Sequence, residues 1–291
     1  MAWIQLNIIV EEALAESLSD ALMEIGALSV TFSETGGQEI FEPEIGTTPI
    51  WDQTRVLGLF DAQVNTTEVL LALTQLMPQI KPSAYMFELI EDKDWIREWM
   101  DQFKPMQFGT HLWIVPSWLD APNPEAVNLL LDPGLAFGTG THPTTAMCLS
   151  WLDKHPPRNL RVIDYGCGSG ILAIAAARLG AQQVSGTDID PQAITASQDN
   201  AQRNQVKIEF ALVKDFRAEP ADLLIANILA GPLKELAIEF QRLVKPGGQL
   251  VLSGLLSSQA DELVSHYRDV GFTLNQRDTK DDWACLSGFK V

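Results

Sequence analysis

The chain has 291 residues, a net charge of −18 and a hydrophobic content of 46%, which together predict a globular protein of two domains. Its three cysteines and four histidines are scattered and form no C-x-x-C pair, so neither a disulfide framework nor a metal site is expected. The N-terminus lacks a basic segment and no uncharged apolar run reaches about 18 residues, which argues against secretion and membrane spanning. A cytoplasmic location is therefore predicted.

The acidic side chains are concentrated at the front of the chain. Residues 1–90 contain thirteen acidic and two basic side chains, a balance of −11, which leaves −7 for the other 201 residues. Such a field repels nucleic-acid phosphates and attracts partners rich in Lys and Arg. The alternative is a solvated face that only keeps the protein soluble. We expect a monomer whose partner is a basic protein, without direct contact to nucleic acid or membrane.

In residues 1–90, segments with the two-residue hydrophobic period of a strand alternate with segments that have the hydrophobic spacing of a helix. Apolar residues alternate with polar ones in the first strand, and those of the next segment recur at helical spacing until Gly26. The predicted strands are 4–10, 28–32, 55–60 and 85–90, and the predicted helices are 14–25 and 66–76. This βαββαβ order predicts a ferredoxin-like domain. Because it contains no cofactor motif, we interpret it as a substrate-recognition module.

A linker helix is predicted over residues 91–109. Trp95, Trp99 and Phe103 are spaced i, i+4, i+8 and would line one helix face, with Pro105 and Gly109 ending the helix. An aromatic stripe of this kind is typical of packing between domains. Residues 110–291 would form the catalytic domain, opening with a hairpin-like pair of strands at 111–115 and 127–131.

The segment DPGLAFGTGTHPTTAMCLSWL, residues 132–152, predicts a polar loop that enters a helix near Pro143. Hydroxyls and free backbone amides beside a helix start suit a carboxylate, such as the one on a methionine moiety. His142 is interpreted as a loop or capping residue. Phe137 would stack on a flat ring or belong to the core.

A glycine-rich turn follows, in LRVIDYGCGSGILAIAAARLGAQQVSGTDID, residues 160–190. A buried strand at 161–165 is followed by Gly166, Gly168 and Gly170 and then by a helix at 171–179. Alternate glycines let the backbone turn tightly and let a ligand lie against it, beside the free N–H groups of the helix start.

The next strand, 183–187, ends in Asp188, which is placed to accept hydrogen bonds from a ribose. NAD and S-adenosylmethionine both carry such a ribose. The dinucleotide motif needs its third glycine at position 171, where this chain has Ile171. The D-x-G-x-G-x-G spacing that begins at Asp164 instead resembles the Rossmann-like methyltransferases.

The rest of the chain predicts alternating strands and helices, typical of a parallel α/β sheet. The predicted strands are 206–213, 222–227 and 249–253, and the predicted helices are 191–203, 232–244 and 257–270. Segments 272–276 and 283–290 would close the sheet as an antiparallel pair.

Five motifs make the resemblance specific: DPGLAFGTGTHPTT, VIDYGCGSGILAIAA, GTDIDP, ANILAGPL and KPGG. They resemble the PrmA family of ribosomal-protein methyltransferases, and the likeness extends over the whole chain, acidic front and linker included. The resemblance implies the seven-stranded sheet of class I methyltransferases. It also implies methyl transfer from S-adenosylmethionine to lysine ε-amines and the N-terminal α-amine of large-subunit ribosomal protein eleven. The front domain would dock that protein, and a flexible joint would let one catalytic domain reach several amines.

The glycine turn already places Gly168 at the cofactor, and the resemblance implies further cofactor contacts. Thr145 would hold the cofactor from the loop, Gly166 would form the turn and Asp188 would hold the ribose hydroxyls. Asn227 would lie near the methionine part and the reacting methyl, and Phe137 would cover the cofactor. Two further carboxylates are less specific: Asp164 would reach the cofactor or support the turn backbone, and Asp215 would contact adenine.

No His or Lys base is evident, so no catalytic residue is assigned and catalysis is expected from positioning and electrostatics. In NILAGPL, Ile228, Leu229 and Ala230 replace the Pro-Pro-aromatic sequence used on planar amides and adenine, which favours an alkyl amine as acceptor. Two alternatives remain open. One is methylation of a small molecule or a different protein, and the other is a catalytically silent adapter that binds basic proteins through residues 1–90.

Overall fold

The computed structural model describes residues 2–36, 49–81, 84–90, 103–132 and 142–291. The chain divides into two compact units, Met1–Asp101 and Gln102–Val291. Within the described ranges, none of the helices has the length and apolar character needed to cross a membrane.

The described residues of the N-terminal unit form a four-stranded antiparallel sheet and two helices. The strands pair in the order β2-β3-β1-β4. Leu6, Ile8 and Val10 point to the core, whereas Ile9 between them is exposed, as the two-residue period of a strand requires. The elements are β1 Trp3–Glu11, α1 Glu12–Glu24, β2 Ser29–Glu34, β3 Gln53–Asp61, α2 Thr66–Leu76 and β4 Met86–Ile90.

The six predicted elements of residues 1–90 occur in the predicted order, and the helix α1 ends before Gly26, whose φ is +98°. The helix α2 begins at the predicted residue 66, and its N-cap is Asn65, whose side chain accepts a hydrogen bond from the Thr67 N–H at 3.1 Å. The ferredoxin-like assignment of this unit stays a prediction.

Residues 103–132 contain a small sheet of three strands, β5 Met106–Phe108, β6 Leu112–Val115 and β7 Val127–Leu130. Two predictions about this region are wrong. A helix does not reach Gly109, because residues 106–108 pair antiparallel with β6. The strands β6 and β7 do not form a hairpin but run parallel, because residues 116–126 cross back before β7 begins. Residues 91–102, with Trp95 and Trp99, lie outside the described residues.

Residues 142–291 are all described, and seven strands within them form one sheet in the order β10-β9-β8-β11-β12-β14-β13. The first five of these run parallel, and β14 is antiparallel to both its neighbours. The strands are β8 Arg161–Tyr165, β9 Gln183–Asp188, β10 Glu209–Leu212, β11 Ala221–Asn227, β12 Val244–Leu256, β13 Phe272–Lys280 and β14 Trp283–Lys290. The predicted seven-stranded sheet and its closing antiparallel pair are confirmed.

Helices cover both faces of this sheet, which gives the unit two apolar cores. Val162 packs into one core and Ile163 into the other, since neighbouring residues of a strand point to opposite faces. The predicted helix at 232–244 is divided at Leu236 into two short helices. The helices are α3 Pro143–Lys154, α4 Ile171–Arg178, α5 Pro191–Arg203, α6 Ala230–Glu235, α7 Ala237–Leu243 and α8 Ala260–Asp269.

Candidate active site

A cavity of about 540 Å³ lies at the carboxyl edge of the parallel strands, where ligands of open α/β sheets bind. Residues at or near the carboxyl ends of the five parallel strands, at the starts of β14 and α3 and in the segment around α6 line it. They are His142, Thr144, Tyr165, Gly166, Asp188, Ile189, Val213, Asn227, Ile228, Leu229, Pro232, Leu236, Gly254 and Trp283.

The glycine turn between β8 and α4 forms one wall of this cavity. Gly166, Gly168 and Gly170 all have positive φ, between 51° and 78°, which L side chains rarely adopt. The N–H groups of Gly166 and Cys167 both donate to the carbonyl of Thr187 at 2.8 and 3.0 Å. The turn is therefore fixed to the end of β9 by backbone hydrogen bonds.

Asp188 ties the same turn to the following strand. Its Oδ2 accepts the Gly168 N–H at 2.9 Å, and its Oδ1 accepts the Asp190 N–H at 3.0 Å. The carboxylate is partly exposed and lines the cavity, so its remaining lone pairs are placed to accept hydrogen bonds from a bound ligand.

Asp164 lies behind the turn and is 1% exposed. Its Oδ2 accepts the Ala173 N–H at 2.9 Å, inside the first turn of α4. Its Oδ1 is buried and has no hydrogen-bond partner in the described structure. Burial, opposed by the Ala173 N–H and reinforced by the Asp188 charge, raises the pKa of Asp164 to about 7. Asp164 therefore supports the turn backbone, which is one of the two roles predicted for it.

Asn227 ends β11 and is held by the start of α3. Its Nδ2 donates to Thr145 Oγ1 at 3.1 Å, which fixes the plane of the amide. Its Oδ1 has no hydrogen-bond partner among the described residues. Asn227 lines the cavity and its Oδ1 is buried, so an N–H that reached this oxygen would remove the cost of leaving a buried acceptor unpaired.

Two glycines hold the residue after Asn227 in place. A Cβ added at Gly166 would overlap the side chain of Ile228. A Cβ added at Gly254, whose φ is +86°, would lie 2.7 Å from the carbonyl carbon of Ile228 and 2.9 Å from its nitrogen. Because Ile228 lies against both glycines, the position of the Asn227–Leu229 backbone depends on them.

Trp283 and His142 line the far end of the cavity. Their rings meet edge to face, with centroids 4.8 Å apart and planes inclined by 71°. His142 is the N-cap of α3, and its Nδ1 lies 2.7 Å from Thr144 Oγ1. Desolvation lowers the pKa of His142, so its imidazole is neutral near pH 7. The capping role predicted for His142 is what the structure has.

The predicted site residues fall into three groups. Gly166, Asp188 and Asn227 line the cavity, whereas Gly168 and Thr145 support it through Asp188 and Asn227. Thr144 and Thr145 are both 1% exposed, but only Thr144 lines the cavity. Phe137 lies outside the described residues.

Asp215 lines a different depression, together with Arg161, Glu209 and Phe216. The cavity-lining residue nearest to it in sequence is Val213. Sequence reasoning missed Gly254 and Trp283 because neither belongs to a motif: Gly254 follows the predicted strand 249–253, and Trp283 begins the predicted strand 283–290. The only available signal was their position at strand ends that the sheet order brings to one edge.

The sheet order and the glycine turn define a Rossmann-like class I methyltransferase fold. A family model described as "Ribosomal protein L11 methyltransferase (PrmA)" matches residues 2–290. A protein of that name from Hydrogenovibrio crunogenus is 64% identical over 287 residues, 99% of this chain and 98% of the relative. One from Ectopseudomonas mendocina is 52% identical over 293 residues and 100% of both chains.

Among solved structures, a ribosomal protein L11 methylase from Lactobacillus delbrueckii subsp. bulgaricus superposes with a TM-score of 0.59 at 32% identity. The match covers 65% of this chain and 99% of the other. The chain therefore belongs to the ribosomal protein L11 methyltransferase (PrmA) family. Fold and family together imply the use of S-adenosylmethionine.

Proposed function

We propose that this protein transfers methyl groups from S-adenosylmethionine to lysine ε-amines and the N-terminal α-amine of ribosomal protein L11. The observation that carries the proposal is the match to relatives of that name over the full chain, at up to 64% identity among those cited. The cavity supports it, because Asn227, whose Oδ1 has no partner among the described residues, would accept an N–H of an amine.

The residues present fit S-adenosylmethionine. Asp188 would accept the ribose hydroxyls, and the turn at Gly166 and Gly168 would pass under the nucleoside, where a side chain would intrude. The first turn of α3, with Thr144 at the wall and Thr145 behind Asn227, would face the methionine part. Phe137 would cover the ring, as the family resemblance implies.

The chemistry requires a neutral amine at the reacting methyl. When bound, S-adenosylmethionine supplies a sulfonium methyl: the amine lone pair forms the N–C bond, the C–S electron pair stays on sulfur, and the ammonium proton passes to solvent. At pH 7 only roughly one lysine in a thousand is neutral. Asn227 Oδ1 would accept one N–H and aim the lone pair without forming an ion pair that keeps the proton on.

The N-terminal region is assigned to substrate recognition in the same proposal. Residues 1–90 would be a ferredoxin-like docking domain, 91–109 the linker and 110–291 the catalytic domain. The charge of −11 on residues 1–90 supports this division, because it favours a basic ribosomal protein over nucleic acid. The enzyme would act as a cytoplasmic monomer.

The test is intact-mass spectrometry of ribosomal protein L11 after incubation with the enzyme and S-adenosylmethionine. We expect additions in steps of one methylene that disappear with Asp188→Ala. Because this change also removes the hydrogen bonds to Gly168 and Asp190, Asp188→Asn, which keeps one acceptor oxygen, serves as the conservative companion.

If calorimetry shows that the wild-type enzyme binds the cofactor but L11 gains no mass, L11 is not its substrate. A screen of other amines with labelled cofactor would then test the small-molecule and other-protein alternatives. Capture of L11 that survives Asp188→Ala, without any product from wild type, would instead support an adapter.

A further inference from the structure

The strand order arranges the cavity residues in a row along the carboxyl edge of the sheet. Asp188 ends β9, Gly166 follows β8, Asn227 ends β11, Gly254 lies near the end of β12 and Trp283 begins β14. β14 lies two strands from β11, on the side away from Asp188, and Trp283 pairs with Leu256, which follows the Asn227 partner Ser253 on β12. Trp283 therefore lies beyond Asn227 both across the sheet and along the strands.

The two sides of Asn227 differ in their chemistry. On the Asp188 side, the wall offers a carboxylate and a turn of backbone amides. On the Trp283 side, the cavity has the indole, the Gly254 backbone and the neutral imidazole of His142. The apolar residues Ile228 and Leu229 lie next to Asn227 itself. The Trp283 side therefore carries no charged group near pH 7 among its described lining residues.

We propose that Trp283, held edge to face by His142, is the specificity-determining residue of the acceptor side. It would receive the carbon atoms beside the reacting nitrogen, namely the acceptor methylenes and any methyl already transferred. This inference rests on the proposed methylation of amines, and it assigns the two halves of the cavity to cofactor and acceptor.

Asn227 and Trp283 would contact different parts of the acceptor, because the amine has both N–H groups and carbon substituents. Asn227 Oδ1 can bond only to the N–H groups of the amine, so its carbon substituents must meet a surface that needs no hydrogen bond. An aromatic ring attracts alkylated ammonium groups, which are less strongly hydrated than a primary ammonium. Trp283 would therefore favour an amine that already carries a methyl group as the acceptor of the next one.

A binding experiment tests this without any protein substrate. n-Butyltrimethylammonium is titrated calorimetrically into full-length enzyme saturated with S-adenosylhomocysteine. We expect wild type to bind the probe, Trp283→Leu to bind it about fivefold more weakly and Trp283→Phe to fall between them. Phe289→Leu is the matched control, because Phe289 lies on the same strand, is 45% exposed and does not line the cavity.

Absence of probe binding to wild type, or equal binding by Trp283→Leu, would overturn the inference. An equal loss of affinity for S-adenosylhomocysteine in Trp283→Leu would also overturn it, since Trp283 would then support the cofactor. Should the leucine variant fail to fold by circular dichroism, Trp283→Phe alone decides, and probe binding equal to wild type would refute the proposal.

The second readout uses L11 and separates this inference from the proposed function. If wild type methylates L11, Trp283→Leu should raise the acceptor KM about fivefold and reduce the share of amines with more than one methyl. An unchanged KM and product distribution would refute the role of Trp283 while leaving the activity intact. If wild type leaves L11 unmodified, the proposed substrate fails and the butyltrimethylammonium titration still decides the role of Trp283.

Discussion

The two ends of the cavity are built by different means. At the glycine turn, the Asp188 carboxylate accepts hydrogen bonds from backbone amides and other amides bond to Thr187, so hydrogen bonds within the protein set the shape of the wall. At the Asn227 end, one amide is fixed by Thr145, its oxygen has no partner in the described structure, and the surroundings are largely apolar. A wall that is already hydrogen-bonded suits a cofactor that never varies, whereas an unsatisfied acceptor with apolar neighbours selects what binds beside it.

The largest effect is expected from Gly254→Ala, which disturbs the boundary between the two ends. The new Cβ would meet the Ile228 backbone at 2.7 and 2.9 Å, in a residue whose φ is +86°. Overpacking and the left-handed conformation together should cost about 2–5 kcal/mol of unfolding free energy, and the displaced Asn227 should abolish methyl transfer. Urea denaturation and the L11 mass assay measure the two effects.

The control for this change is Gly247→Ala, since Gly247 also has positive φ, +72°, but has no atom within 4 Å of an added Cβ. It should cost about 1–2 kcal/mol, from backbone conformation alone. Equal costs for the two variants would mean that Ile228 yields easily and that Gly254 does not hold the Asn227 segment.

Asp164→Asn should give the next largest effect, at the turn end. Burial raises the pKa of Asp164 from 3.8 to about 7 in the folded protein. Between these values the folded state retains a proton that the unfolded chain has lost, so stability falls as pH rises from about 4 to about 7 and levels off above that. The amide removes this titration and keeps an acceptor for the Ala173 N–H.

Unfolding free energies measured by urea at about pH 5 and about pH 8 provide the test. The stability of Asp164→Asn relative to wild type should increase by a few kcal/mol across this interval. Asp278→Asn, on the exposed part of β13, reports the effect of removing a surface carboxylate. A constant difference between wild type and Asp164→Asn would show that Asp164 holds no proton in the folded protein near neutral pH.

Asn227→Ala directly tests the end of the cavity that contains Asn227. If Asn227 Oδ1 accepts an N–H of the amine, its loss should lower kcat/KM for L11 roughly 10- to 100-fold, because an unmade hydrogen bond to a buried polar group costs about 1–3 kcal/mol. Cofactor affinity should change much less. Asn275→Ala, at an exposed position of β13, is the matched control. A loss confined to cofactor binding would mean that Asn227 contacts the cofactor and not the acceptor amine.

The turn end could be predicted from the sequence because its chemistry is local. Gly166, Gly168 and Asp188 lie within a single strand-turn-helix-strand segment, so spacing alone indicates their arrangement. The same locality explains why the predicted helix at 191–203 has the observed bounds. The seven-stranded sheet, in contrast, was expected because the family resemblance implies it.

The acceptor end depends on tertiary pairing that spacing does not encode. Gly254 and Trp283 come to the cavity only because β12 follows β11 in the sheet and β14 folds back antiparallel. The parallel pairing of β6 and β7 was missed for a similar reason, since two short apolar runs do not determine the direction of the second strand. Thr145 was predicted as a cofactor contact from the loop, and its bond to Asn227 could be found only in three dimensions.

The smallest effect is expected from Thr145→Val, which separates these two readings of Thr145. Valine keeps the volume of a side chain that is 1% exposed but removes the acceptor for Asn227 Nδ2. If Thr145 acts by orienting Asn227, kcat/KM for L11 should fall about fivefold, the equivalent of about 1 kcal/mol, with cofactor affinity unchanged. If it holds the cofactor, calorimetry should instead show weaker binding of S-adenosylmethionine at an unchanged KM for L11. The double variant Thr145→Val with Asn227→Ala completes the comparison, because a positioning role predicts no loss beyond that of Asn227→Ala alone.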